Sequence, residues 1–322
     1  MSCQQIPSQV VLEVSGLCNL SCKGCIVHGP QKSVTRPMGN MQEDVWRSVI
    51  KEISTWDKTI NLTTHGGGEP LFNPSLQNII TYAGQFPNIK PGFLTNGMLF
   101  TKEWAEFVVD SNMDWICFSI DGISPNTHAS VRKNSDLLRI EDNLNTLIGL
   151  RKKKCRNTPR ILLNMVSYDE VQDQVEPFLN TWLHQVDTIM VSHYRNPPQS
   201  KRWPRVPANR KPCFLLWSQM IIAWDGRLGL CCEDFNIDYC LGCVHDNSLL
   251  AMWNSGMIDE LRHMHLQGQY DTHPMCQCCD TWADEVVQQE IIDQAKRYKT
   301  VYKASQIEFS SLTHCDNSHA TC

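Results

Sequence analysis

The chain has 322 residues and a mass of 36.9 kDa, room for one large domain or a large and a small one. With 42% hydrophobic residues, 20% charged residues and a net charge of -5, it can bury a core, which excludes a disordered chain and a nucleic-acid binder driven by overall charge. The longest nearly uncharged apolar stretch, Cys213 to Trp224, is 12 residues, too short for a bilayer, and residues 1–12 show no signal-peptide pattern, so a cytoplasmic address without membrane partners is expected.

From residue 10 to about 194, strand-like and helix-like segments alternate. Strands are predicted at Val10–Val14, Ile60–Thr64, Lys90–Leu94, Trp115–Ile120, Arg160–Val166 and Thr188–Val191. Between them lie helix-period stripes: Val45, Val49, Ile50, Ile53 and Trp56; Ile140, Leu144, Leu147 and Ile148; Val171, Val175, Phe178, Leu179, Trp182 and Val186. Six β/α units in series predict a parallel sheet with helical crossovers, an α/β fold. The segment Arg195–Pro212 holds five prolines and six basic residues and reads as a linker. Beyond it, Leu215–Ala223 and Arg227–Cys231 flank Asp225-Gly226, a hairpin turn signal. Helices are expected near Leu249–Leu266 and Trp282–Tyr298, with a polar, fraying tail from about Ser305. The chain thus divides into a core at 1–194, a linker at 195–212, a small second domain at 213–300 and a tail at 301–322.

Cysteine usage is the anomaly. There are sixteen, six before residue 200 and ten after it, in a chain with no export signal, so clustered cysteines read as metal ligands rather than disulfides. Cys18-Asn-Leu-Ser-Cys22-Lys-Gly-Cys25 follows the first strand. Three thiolates on one loop can hold three corners of a cubane iron–sulfur cluster and leave its fourth iron open to a small molecule. Zinc, with His28 as a fourth ligand, is the alternative.

The C-x3-C-x2-C spacing after a first strand resembles the radical S-adenosylmethionine (radical SAM) superfamily. His65-Gly66-Gly67-Gly68-Glu69-Pro70 after the second strand is similar to that family's GGEP motif. Thr95-Asn96-Gly97 ends the third strand, and Ser119-Ile120-Asp121-Gly122 ends the fourth and is followed by Arg132, as in many members. The resemblance covers roughly residues 10–194. It implies a partial (β/α)6, TIM-like barrel with its site at the C-terminal mouth of the strands. It also implies a [4Fe-4S] cluster on Cys18, Cys22 and Cys25, and S-adenosyl-L-methionine (SAM) against Gly66, Gly67, Gly68, Glu69, Asn96, Ser119 and Arg132. In the family the reduced cluster passes one electron to SAM, and the resulting 5′-deoxyadenosyl radical takes a hydrogen atom from substrate. An external one-electron reductant such as flavodoxin or ferredoxin is implied. One departure stands out: the residue before the third cysteine is usually bulky and here is Gly24, so whatever packs there must come from elsewhere.

The second zone supplies Cys213-x12-Gly226-x4-Cys231 and Cys276-x2-Cys279, four thiolates for a second cluster or a zinc. It resembles the SPASM/twitch auxiliary-cluster domain in its shortened, one-cluster form, since position 285 is Glu; the Leu249–Asn254 segment is similar too. The resemblance implies one auxiliary [4Fe-4S] cluster on Cys213, Cys231, Cys276 and Cys279. Cys240 and Cys243 are a spare pair, either free thiols or, with Cys315 or Cys322, ligands of a third cluster. Cys278 could replace either neighbour, while Cys117 and Cys155 read as packing or surface residues.

Three reaction classes remain: dehydrogenation, epimerisation and peptide maturation. Only 17 residues precede Cys18, so the peptide-recognition domain common in the third class is not expected. The reading is a radical SAM oxidoreductase or epimerase that abstracts hydrogen from a carbinol-type C–H of a sugar, aminocyclitol or related small molecule. A maturase acting on a ribosomal peptide is the alternative, and a non-catalytic iron–sulfur or zinc protein leaves the glycine-rich motifs without a use. Cys232, beside the implied ligand Cys231, is the candidate hydrogen-atom donor, as in cysteine-dependent radical SAM epimerases. Trp203, Trp217 and Trp224 are candidate stacking surfaces, buried packing being the commoner role.

Overall fold

The computed structural model describes residues 5–194, 206–207, 210–277, 279, 281–291, 298–304 and 309–310. The six predicted strands all form: β1 (Gln9–Leu12), β2 (Ile60–Thr63), β3 (Ile89–Thr95), β4 (Trp115–Ser119), β5 (Arg160–Ser167) and β6 (Thr188–His193). They pair in parallel, each with the next. Along β5, Ile161, Leu163 and Met165 are fully buried, while Leu162, Asn164 and Val166 alternate with them as half-buried positions. One face packs tightly and the other is left for the interior of the curled sheet.

The crossovers are α1 (Glu43–Ile53), α2 (Leu76–Ala83), α3 (Lys102–Asp110), α4 (Pro125–Val131), α5 (Leu137–Lys153) and α6 (Val175–Trp182). Their apolar stripes are the core: α1 buries Val45, Trp46, Val49, Ile50 and Ile53 on one side. Thr101, Ser124 and Asp136 accept hydrogen bonds from N–H groups in the first turns of α3, α4 and α5, which fixes where these helices begin. The result is the expected partial (β/α)6 barrel.

The sheet does not stop at six strands. On the β1 side, β7 (Gln219–Ile222) pairs parallel with β1, β8 (Arg227–Gly229) turns back antiparallel on β7, and β9 (Cys240–Cys243) follows β8. The predicted hairpin is β7–β8; Gly226 sits in its turn at φ +86°, a conformation that favours glycine. Its first arm is shorter than expected, because Leu215–Ser218 forms a helical turn.

Two expectations need correction. The single helix expected near Leu249–Leu266 is two, α7 (Leu249–Trp253) and α8 (Gly256–Leu266). Asn254 ends α7, its Nδ2 donating to Leu250 O at 2.8 Å and Gln5 O at 3.1 Å, so the side chain competes with the next helical bonds. The helix expected near Trp282–Tyr298 is a strand pair, β10 (Asp284–Ile291) and β11 (Tyr298–Ala304). β11 pairs parallel with β6, and β10, antiparallel to β11, forms the far edge of the sheet. Of the linker and tail readings, Val206–Pro207 pairs with Phe309–Ser310; 195–205, 305–308 and 311–322 lie outside the described residues. No helix among the described residues is long and apolar enough to cross a membrane.

Candidate functional site

β1 runs directly into the loop that carries Cys18, Cys22 and Cys25, all half-buried and free. Ser21–Cys22 pairs antiparallel with Arg132–Lys133, which pins the loop to the end of α4. Hydrogen-bond donors point at two of the sulfurs: Leu20 N–H to Cys18 Sγ at 3.4 Å and His28 N–H to Cys25 Sγ at 3.3 Å. The Arg132 side chain lies beside Cys22. Burial pushes the Cys18 thiol up to about 12 and raises Cys22, with Arg132 opposing the rise at Cys22. Sulfurs so placed become thiolates against a bound metal, and N–H donors around them suit ligands of an iron–sulfur cluster. The zinc alternative fares worse. His28 Nε2 is hydrogen-bonded to Gly16 O at 2.9 Å, and no three His, Cys, Asp or Glu side chains among the described residues converge on one ion. A cubane spreads its thiolates over separate irons and so holds them further apart.

The glycine run lies against the end of β1. A Cβ on Gly66 would come within 2.5 Å of Glu13 Cβ, on Gly67 within 2.7 Å of Glu13 Oε1, and on Gly68 within 2.4 Å of Leu17 O. The chain's own packing therefore demands these glycines. Glu69 follows as a tie between loops. Its N–H donates to Leu17 O at 2.7 Å, and its buried carboxyl accepts from Thr95 Oγ1 and Asn96 N–H, both at 2.8 Å. Burial pushes this carboxyl up to about 7 against those hydrogen bonds. Asn96 Nδ2 donates to Asn19 Oδ1 at 2.8 Å and lies 3.9 Å from Cys18 Sγ. Ser119 ends β4 half-buried, in register with Asn164. Arg132 donates from Nε to the buried Asp121 at 2.7 Å. Burial works against its charge, but Asp121 and Cys22 outweigh that and raise its pKa. Six of the residues implied for SAM thus lie at or just beyond the C-terminal ends of β2, β3 and β4, and the seventh, Arg132, caps α4, paired with Cys22 of the cysteine loop. Gly67→Val is expected to force Glu13 aside, cost about 1–3 kcal/mol in overpacking and weaken SAM binding; equilibrium dialysis with labelled SAM checks it, and an unchanged affinity counts against the motif as a SAM contact.

The structure also fills the place left by Gly24. Tyr168 Oη and Tyr194 Cε2 would each lie 2.6 Å from a Cβ there, and the two rings lie 4.8 Å apart, tilted by 36°. The missing bulk comes from the ends of β5 and β6.

Sequence reasoning passed over Glu13 and Arg36. Arg36 Nη2 donates to both Glu13 oxygens, at 2.6 and 2.7 Å, and Arg36 Nε donates to Phe235 O. Glu13 also accepts from Gly67 N–H at 3.0 Å and Trp224 N–H at 3.1 Å. This buried pair joins the end of β1, the glycine run and the second cysteine zone. The available signal was a charged residue inside the apolar run Val10–Val14. Trp224 packs over Gly16 and Gly39 and donates from Nε1 to Pro37 O, Trp217 packs against the core, and Trp203 lies outside the described residues.

The second zone brings its four singled-out thiols together. Cys231 lies within electrostatic reach of Cys276 and Cys279, and Cys213 within reach of both. Burial is the main reason that all four are raised, Cys276 to about 11. The pair Cys276–Cys279 is a tight turn, with Cys279 N–H donating to Cys276 O at 3.2 Å. His265, from α8, stands between two of the cysteines: Cys213 N–H donates to its Nδ1 at 3.1 Å, and its Nε2 lies 3.3 Å from Cys276 Sγ. Burial pushes its pKa down to about 4. This donor set, four thiols with a ring nitrogen against one of them, fits an iron–sulfur cluster.

Cys232 is half-buried beside Cys231. Burial first, then Glu233 and the neighbouring thiols, raises its pKa well above that of an ordinary thiol. Phe235, three residues on, packs on the Ile26–Val27–Val34 cluster that Cys25 also touches, and Thr35 N–H donates to Asn236 Oδ1 at 2.8 Å. The segment after Cys232 is therefore seated on the first cysteine loop. Cys240 and Cys243 are free thiols on β9, Cys117 is fully buried in β4 and Cys155 is exposed; Cys278, Cys315 and Cys322 lie outside the described residues.

The family profile of the radical SAM superfamily matches residues 12–179, more than half of the chain. The chain belongs to the radical SAM superfamily. Residues 213–280 match the SPASM iron–sulfur cluster-binding domain. The radical SAM and SPASM domains imply SAM and [4Fe-4S] clusters as cofactors. It is 24% identical over 235 residues to an uncharacterised protein of Treponema pallidum, covering 67% of this chain and 64% of that one. It is 31% identical over 126 residues to an AdoMet-dependent heme synthase of Methanosarcina barkeri, covering 39% and 34%. The matched stretches thus span less than two thirds of either relative. Among solved structures, BtrN in complex with AdoMet and 2-DOIA aligns with a TM-score of 0.60 at 18% identity, over 86% of this chain and 94% of that one. Streptococcus suis SuiB bound to precursor peptide SuiA aligns with 0.64 at 12% identity, over 80% and 67%. At these identities the likeness is one of fold.

Proposed function

We propose that this enzyme removes a hydrogen atom from a carbinol-type C–H of a sugar, aminocyclitol or related small molecule and that Cys232 returns one to the opposite face, so that the carbon is inverted. The observation that carries the reading is the placement of Cys232: a free thiol beside the ligand set, on the segment seated against the first cysteine loop. SAM and its cluster, held by Cys18, Cys22 and Cys25 with the loops after β2, β3 and β4, supply the hydrogen-abstracting radical. The Cys232 S–H bond then breaks as the new C–H bond forms. The sulfur is left one electron short, and an external one-electron reductant such as flavodoxin or ferredoxin restores it, with a proton from solvent.

The test is turnover by the reconstituted enzyme in deuterated water across a panel of aminocyclitols and sugars, with 5′-deoxyadenosine release identifying the substrate. One deuterium is expected on the inverted carbon. Cys232→Ala is expected to release 5′-deoxyadenosine but form no inverted product. A product lacking two hydrogens, formed at the wild-type rate by Cys232→Ala, identifies a dehydrogenase and sinks the donor role.

A further inference from the structure

We infer that His265 is a positioning residue that sets the reduction potential of the auxiliary cluster, by donating its Nε2–H to the sulfur of Cys276 while its Nδ1 fixes the backbone of Cys213. The inference rests on the reading of Cys213, Cys231, Cys276 and Cys279 as ligands, which it deepens.

The geometry settles the tautomer. The Cys213 N–H donates to Nδ1 at 3.1 Å, and a nitrogen that accepts a hydrogen bond carries no proton. An imidazole whose Nδ1 accepts a hydrogen bond carries its proton on Nε2, which here faces Cys276 Sγ at 3.3 Å. The ring is held in that orientation: His265 is 1% exposed on the inner side of α8, with Ile258, Leu261 and Arg262, and Tyr270 meets its edge at a centroid distance of 5.2 Å. Arg262 in turn locks α8 to the segment before β7, donating from Nε to Leu216 O at 2.9 Å. A short polar chain therefore runs from one cysteine's backbone, through one imidazole, to another cysteine's sulfur, bridging positions 213 and 276.

Hydrogen bonds to ligand sulfurs draw electron density from an iron–sulfur cluster and favour its reduced form. In a cluster held by four thiolates, each bringing negative charge, such a donor makes the cluster a better electron acceptor. Loss of the donor is expected to lower the midpoint potential.

The experiment uses the full chain with Cys18, Cys22 and Cys25 replaced by alanine, so that any remaining cluster signal comes from the second zone. Iron content and the midpoint of an EPR-monitored redox titration are read for His265, His265→Asn and His265→Gln. An Asn oxygen can keep the acceptor for Cys213 N–H but places no donor at Cys276. A Gln amide can reach Cys276 as a donor. The expected result is a lower midpoint in His265→Asn with iron retained, and a midpoint moved back towards wild type in His265→Gln. An unchanged midpoint in iron-loaded His265→Asn, or an equal fall in both variants, overturns the role of His265. If His265→Asn loses its iron, His265→Gln decides alone: retained cluster at the wild-type midpoint supports the bond, and a lost cluster or lowered midpoint refutes it. Absence of iron in the parent with His265 intact would instead refute the ligand set.

Discussion

Replacing Cys18, Cys22 and Cys25 together by alanine is expected to abolish reductive cleavage of SAM and to remove about four iron per chain, from a total of about eight. The three sulfurs sit on one loop, two of them already facing backbone N–H donors from Leu20 and His28. No other described side chain takes their place, because the nearest imidazole, His28, is committed to Gly16 O. The loss therefore falls on electron delivery itself and is total rather than graded. Iron analysis after anaerobic reconstitution and 5′-deoxyadenosine release check the two halves separately. Full cleavage by the triple variant would reject the assignment of the loop; a fall in iron to near zero would show that the second zone holds none.

Arg36→Met is expected to destabilise the protein by about 3 kcal/mol, the lower end of the cost of stranding one partner of a buried ion pair. Glu13 is 3% exposed and Arg36 6%, and both carboxylate oxygens accept from the same guanidinium nitrogen. Without Arg36, Glu13 keeps, among the described residues, the N–H groups of Gly67 and Trp224 as hydrogen-bond donors, which is why the lower end applies. Adding Glu13→Gln should restore part of the loss, since the stranded charge goes with it. Urea unfolding under anaerobic conditions measures both variants. A loss below about 1 kcal/mol, typical of an exposed pair, would show that the guanidinium is not the main compensation for Glu13. The same substitution removes the Arg36 bond to Phe235 O, so the segment carrying Cys232 should loosen and hydrogen exchange at 234–237 should rise.

Much of the barrel was legible because parallel strands covered by helices leave strong marks. The predicted Lys90–Leu94 and Arg160–Val166 differ from β3 and β5 by a residue or two at their ends. The cysteine spacings and the turns after successive strands carried the family and its cofactors for the same reason: they are local. What was not legible is what distant segments supply to each other. The stretch Asp284–Ile291 places Val286, Val287 and Ile291 at spacings that a helix also allows, and only the open edge at β6, filled through β11, decides for a strand. Gly24 looked like a deficit because Tyr168 and Tyr194 are more than 140 residues away. His265 did leave a trace. It falls on the buried stripe of α8 with Ile258, Leu261 and Arg262, and a histidine in a core stripe within a cysteine-rich region is a reason to look for a sulfur nearby.

The two flanks of the sheet bear on how the chain is made. β1 leaves the ribosome before the other described strands, yet one of its two neighbours is β7, with Gln9 in register with Gln219, 210 positions later. β6 likewise waits for β11 at 298–304. Throughout synthesis of the intervening chain, both terminal strands of the nascent barrel carry a bare row of amide and carbonyl groups able to template foreign strands. Closure comes only with pairings of very long sequence separation, the slowest kind to form. Vectorial folding of the barrel alone is therefore unprotected, and the segments that follow it act as covers for the edges it leaves open.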